Sequence, residues 1–66
     1  MTVDKQEITT ATTSNDIITH KLEGMINKLS IVALPKDQVL QSSLLQLLVL
    51  HKKIAQDLQK ISSNAS

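Results

Sequence analysis

The chain contains no cysteine, no tryptophan, tyrosine or phenylalanine, and only one glycine and one proline. Without cysteine there is neither a disulfide framework nor a thiolate zinc site to staple a small fold. Without aromatics it lacks the side chains that usually anchor small cores and stack on nucleic-acid bases. A single glycine, Gly24, leaves no room for a glycine-rich phosphate loop. Arginine is missing too: all seven basic residues are lysines, so no bidentate guanidinium contact to phosphate or guanine is available. The formal net charge of +1 gives no field strong enough to gather a polyanion.

With 66 residues the chain is one domain at most, in the size range where a single core is marginal. The conformational entropy of ordering two helices exceeds what its aliphatic side chains return, which favours an oligomer or a partner over a lone monomer. Met1 to Thr13 is polar and Thr-rich, with no apolar centre of the kind a signal peptide carries. The apolar run Leu47 to Leu50 is far shorter than the ~20 residues of a membrane span. The expected location is therefore cytoplasmic.

What the chain does have is leucine and isoleucine at helical spacing. Leu40, Leu44, Leu47, His51, Ile54, Leu58 and Ile61 recur at alternating steps of four and three, the seam of a helix packed on other helices. At Leu47-Leu48-Val49-Leu50 the turn is apolar on every side, so one companion helix cannot cover it. A second, shorter seam precedes it: Ile18, Leu22, Met25, Leu29 and Val32. Ser14, Asn15 and Asp16 can each accept from the free N–H groups of a first helical turn and mark its start. Pro35 ends the first helix near Ala33 and suits the first turn of the next.

These signals predict an all-α fold, an antiparallel two-helix hairpin over 15–62, with the first helix at about 16–33 and the second at about 36–62. Residues 1–14 read as a disordered polar tail and 63–66 as a frayed end. At ~1.5 Å per residue the second helix reaches roughly 40 Å and the first only about 27 Å. Ile54, Leu58 and Ile61 would then overhang. With Leu45, Leu48 and Leu50, which lie off the seam, they form the expected partner-binding stripe, a helix face laid in a groove.

No catalytic constellation is visible, and the chain is expected to be neither an enzyme nor a holder of a cofactor or metal. A helical hairpin offers no dry, shaped pocket. The two histidines, His20 and His51, stand at similar heights, but His51 is on the seam and His20 points outward. His51 reads as a polar residue that sets register or as one at the rim of an interface. Lys52, Lys53 and Lys60 make a mildly basic, solvated helix end.

Within the first helix, Ile18-Thr19, Leu22-Glu23 and Lys28-Leu29 resemble the first helix of the small co-chaperones of type III secretion needle subunits, the YscE-type family. Those proteins are also short helical hairpins. The resemblance covers roughly residues 16–30 and carries no signature motif, so no functional residue transfers with it. It implies a bacterial cytoplasmic protein that pairs with a larger tetratricopeptide-like chaperone and holds the needle subunit unpolymerised before export. Two other readings share the hairpin. One is a Rop-like homodimeric four-helix bundle that binds RNA through His20, Lys21, Asn27 and Lys28; the other is a small adaptor or inhibitor with a helical interface. The near-zero net charge weighs against RNA.

Overall fold

The computed structural model describes residues 3–32 and 37–64, with side chains described for 3–29 and 37–64. Two helices pack side by side, α1 (Lys5–Val32) and α2 (Gln38–Asn64), in a rod of 49 × 14 × 14 Å. They run antiparallel: Asn15 bonds to His51, while Ile8 lines a groove with Leu58 and Leu29 one with Leu40 and Leu44. The all-α hairpin expected from the periodicity is the fold observed. The break at Leu34-Pro35-Lys36, and the placement of Ala33, lie outside the described residues.

The first helix begins more than two turns earlier than the sequence reading placed it. The expected polar tail is helical from Lys5 onward. Its start is a cap formed by Asp4, whose Oδ1 accepts from the backbone N–H of Glu7 at 2.8 Å, and whose carbonyl accepts from Ile8 at 3.3 Å. Asp4 and Glu7 stand at the spacing of a capping box, and Glu7 in the first turn also suits the positive end of the helix dipole. The threonine cluster is accommodated within the helix, and hydroxyls of the cluster bond back to the helix itself. Thr9, Thr12 and Thr19 each donate to the carbonyl four residues back, on Lys5, Ile8 and Asn15. Ser14, Asn15 and Asp16 are consequently mid-helix, and none of them caps it.

The C-terminal end departs from expectation in the same sense. Ser63 and Asn64, expected to fray, belong to α2, where their side chains donate to the carbonyls of Gln59 and Lys60. With 28 residues in α1 and 27 in α2, the helices match in length. There is no overhang. Leu58 is half-buried, and together with Ile61 it lines a groove shared with Val3, Ile8 and Ala11 of α1.

The seam between the helices is also rotated from the expected one. In α1 the less exposed line is Ile8, Thr12, Asn15, Thr19, Leu22, Ile26 and Leu29, at steps of four and three, with Glu23 half-buried beside it. Leu22 and Leu29 belong to both versions, whereas Ile18 and Met25 are 43% exposed. The side chain of Val32 lies outside the described residues. In α2 the less exposed line is Gln41, Leu44, Leu48, His51, Ala55 and Leu58. Leu40 and Leu47, expected on it, are exposed, and Leu48, expected outside, is half-buried. The reason is the polar content of the true seam. Thr12, Asn15 and Thr19 face α2, and a reading that follows only large aliphatics slips one residue to the side.

Candidate interaction surface

Among the described residues only Ile8, Leu22 and Leu44 are buried apolar side chains, so that part of the hairpin hides little of its aliphatic surface within itself. At its middle the seam is polar. Asn15, 6% exposed, donates from Nδ2 to the carbonyl of His51 at 2.9 Å, and its Oδ1 lies 2.7 Å from the ring Nδ1 of His51. Since the amide nitrogen is committed to the carbonyl, the amide oxygen accepts, and His51 holds a proton on Nδ1. The pair is satisfied: no buried side-chain nitrogen or oxygen among the described residues lacks a partner. It locks one axial register, because sliding either helix by a turn would strand both groups.

The two flanks of this seam differ sharply. On one flank α1 presents Ala11, Ile18 and Met25, seven residues apart, and α2 presents Leu40, Leu47, Ile54 and Ile61 at the same repeat. Grooves joining Met25 to Leu40 and Ala11 to Ile61 show that these two lines lie on the same side of the rod. All of them are exposed except Ile54, which is half-buried. Glu7 borders one end of this flank and Lys28 the other, each lining one of the two grooves. The opposite flank carries Thr9, Asp16 and Glu23 from α1 and Gln38, Leu45, Lys52 and Gln59 from α2. Its groove is lined largely by Thr9, Thr12, Thr13, Gln59 and Ser62.

The expected partner-binding stripe is therefore split. Leu45 is on the polar flank, Leu48 and Leu58 turn toward the seam, Ile54 and Ile61 are on the apolar flank, and Leu50 is exposed at its outer edge. Leu40, Leu47, Ile18 and Met25, expected inside the hairpin, supply most of the exposed apolar flank. The seven-residue repeat of Ile18 with Met25, and of Leu40 with Leu47, Ile54 and Ile61, was the signal for it. It is a third apolar line beside the two of a simple seam.

Neither family models, nor curated proteins, nor solved structures matched the chain. The flank is thus interpreted from its own chemistry.

Other chemistry on the hairpin is sparse. His20 is exposed, with Nδ1 3.8 Å from Glu23, and the described residues hold no group of three or more metal-ligating side chains. Lys53 pairs with Asp57 at 3.3 Å on the surface of α2, a contact worth well under about 1 kcal/mol. His20, Lys21, Asn27 and Lys28 are all exposed on α1, and Glu23 sits beside His20. Among the described residues, no helix is long and apolar enough to cross a membrane.

Proposed function

We propose that this chain is a non-catalytic binding module whose apolar flank docks against another helical protein. One observation carries the reading. Along the length of the rod one flank is aliphatic and exposed, while the opposite flank is predominantly polar. Exposed apolar stripes of this extent mark contact surfaces rather than ordinary solvated faces. The helical-repeat spacing suits a helix as the complementary shape.

The sharpest form of the proposal is a co-chaperone of the YscE type, paired with a tetratricopeptide-like chaperone around a type III secretion needle subunit. The similarity at Ile18-Thr19, Leu22-Glu23 and Lys28-Leu29 supports it. In the folded chain those residues supply one flank position (Ile18), two seam positions (Leu22, Leu29) and a border charge (Lys28). The test is affinity capture from the native host with the tagged chain and with Leu47→Asp, followed by identification of the co-purifying chains. The wild type should retain a tetratricopeptide-like protein in stoichiometric amount. Leu47→Asp should lose it while keeping its helical circular dichroism. Equal capture by both proteins would remove the apolar flank from the binding role.

A further inference from the structure

We infer that the apolar flank is self-complementary and that, in the isolated protein, a second copy of the chain covers it, forming an antiparallel four-helix bundle with the two hairpin turns at opposite ends. This rests on the reading of the flank as a docking surface and names the occupant it takes when no other helical partner is present.

The area is sufficient. A face of 49 × 14 Å projects about 690 Å² per copy, so a face-to-face pair hides about 1,400 Å² in total, within the range of stable interfaces. The composition of that area matches what the core of a dimer interface requires, with apolar residues on both helices and no charge between them.

The spacing supplies the symmetry. A two-fold axis across the rod at the height of Ile18 brings Ile18 against its own copy, and Ala11 against Met25 of the second copy, small against large. Asn15 is level with His51, so the same axis crosses α2 within about one residue of Leu47. Leu47 then meets its own copy, and Leu40 meets Ile54 of the second copy. From Ala11 to Met25 on α1 and from Leu40 to Ile54 on α2, each apolar step on one hairpin finds an apolar step opposite, while Ile61 extends past the start of the second copy's α2.

One pair of border charges, Glu7 and Lys28, favours this arrangement over its alternative. Glu7 and Lys28 lie at nearly equal distances on either side of Ile18, roughly 15 Å away along the helix. Both border the apolar flank, and neither has an ion pair among the described residues. With turns at opposite ends, Glu7 stands against Lys28 of the second copy, and the symmetry makes this contact twice. With turns at the same end, α1 faces α2 of the second copy instead, and Glu7 approaches Asp57, a like charge.

The absence of cysteine makes the arrangement directly testable. Ile18→Cys places a single thiol at the axis, and mild oxidation of the purified full-length chain should convert most of it to a disulfide-linked dimer. Ile17→Cys, on the outward side of α1, should stay largely unlinked under the same conditions. Sedimentation equilibrium should give a dimer for the wild type. Lys28→Glu sets like charges together twice and should weaken the dimer by roughly tenfold to thirtyfold at low salt. The double exchange Glu7→Lys with Lys28→Glu should recover most of that loss. A wild-type chain that is monomeric at ~100 µM, or that forms species larger than two, overturns the inference. So does a dimer in which Ile18→Cys fails to crosslink, or one the double exchange fails to rescue. A strict monomer that still captures its helical partner from the host would sink the inference and leave the proposed function standing; a crosslinked dimer that captures nothing would do the reverse.

Discussion

At the scale of single residues the decisive contact is Asn15 with His51, because it spends the centre of a small core on hydrogen bonds. Two bonds cross the seam there, at 2.9 and 2.7 Å, in a hairpin with only three buried aliphatic side chains among the described residues. Asn15→Ala leaves the His51 Nδ1–H without its acceptor and should cost about 1–3 kcal/mol, measurable by urea denaturation. Replacing both residues by leucine should have the opposite effect on stability. A polar pair in a helical seam costs stability and fixes register, so Asn15→Leu with His51→Leu should melt higher and sediment as a mixture of assemblies. Unchanged homogeneity in that variant would show that register is set elsewhere. Gly24 is the other informative position. A Cβ added there meets nothing within 4 Å, so the glycine carries its helix penalty with no packing reason inside the hairpin. Gly24→Ala should raise stability by about 0.5–1 kcal/mol. A loss instead would mean that another chain approaches α1 at that point.

At the scale of the helices, the outcome turns on where α1 begins. The helical hairpin itself was legible, because leucine and isoleucine recur at steps of four and three in both halves and proline separates them. The first three turns of α1 were not legible from propensity, since a threonine cluster reads as non-helical, and the bonds of Thr9 and Thr12 to carbonyls four residues back leave no mark in the pattern. The capping spacing of Asp4 with Glu7 was the local sign available. The exact facing of the helices was hidden for a related reason: three polar residues, Thr12, Asn15 and Thr19, occupy positions that an aliphatic pattern leaves out. These two shifts together undo the expected overhang and redistribute the expected binding stripe. They also alter what Leu58 does. It shares a groove with Val3, Ile8 and Ala11, so Leu58→Asp should destabilise the hairpin by at least about 2 kcal/mol, with visible loss of helicity. Removing the cap should act on the same end. Asp4→Ala should cost about 1 kcal/mol and speed hydrogen exchange at the Glu7 and Ile8 amides, while amides around Leu44 keep their protection. Uniform acceleration along both helices would instead mean that the hairpin opens as one unit.

For the whole molecule, the question is how a hairpin with three buried aliphatic side chains among its described residues holds together. Two antiparallel helices of this length bury one seam, and here that seam is partly polar, so burial within the chain returns little toward the entropy of ordering both helices. The exposed flank is a further apolar area, and covering it adds stability that grows with the logarithm of the partner's concentration above its Kd. Association is then linked to folding, and the melting temperature depends on concentration. For a dimer that unfolds to separate chains, a hundredfold dilution removes about 2.7 kcal/mol of stability, which at the entropy of unfolding of two such chains lowers the melting temperature by roughly 10 °C. Two variants separate the hairpin from its assembly. Leu44→Asp places a charge on the buried seam and should unfold the chain at every concentration. Leu47→Asp places the same charge on the exposed flank, where a lone hairpin would tolerate it. It should lower the melting temperature at high concentration to a value that dilution no longer changes. Thermal melts by circular dichroism across the hundredfold range check both at once. A wild-type melt indifferent to dilution, matched by Leu47→Asp, would mean that the seam alone suffices and that the flank contributes nothing to the stability of the isolated chain.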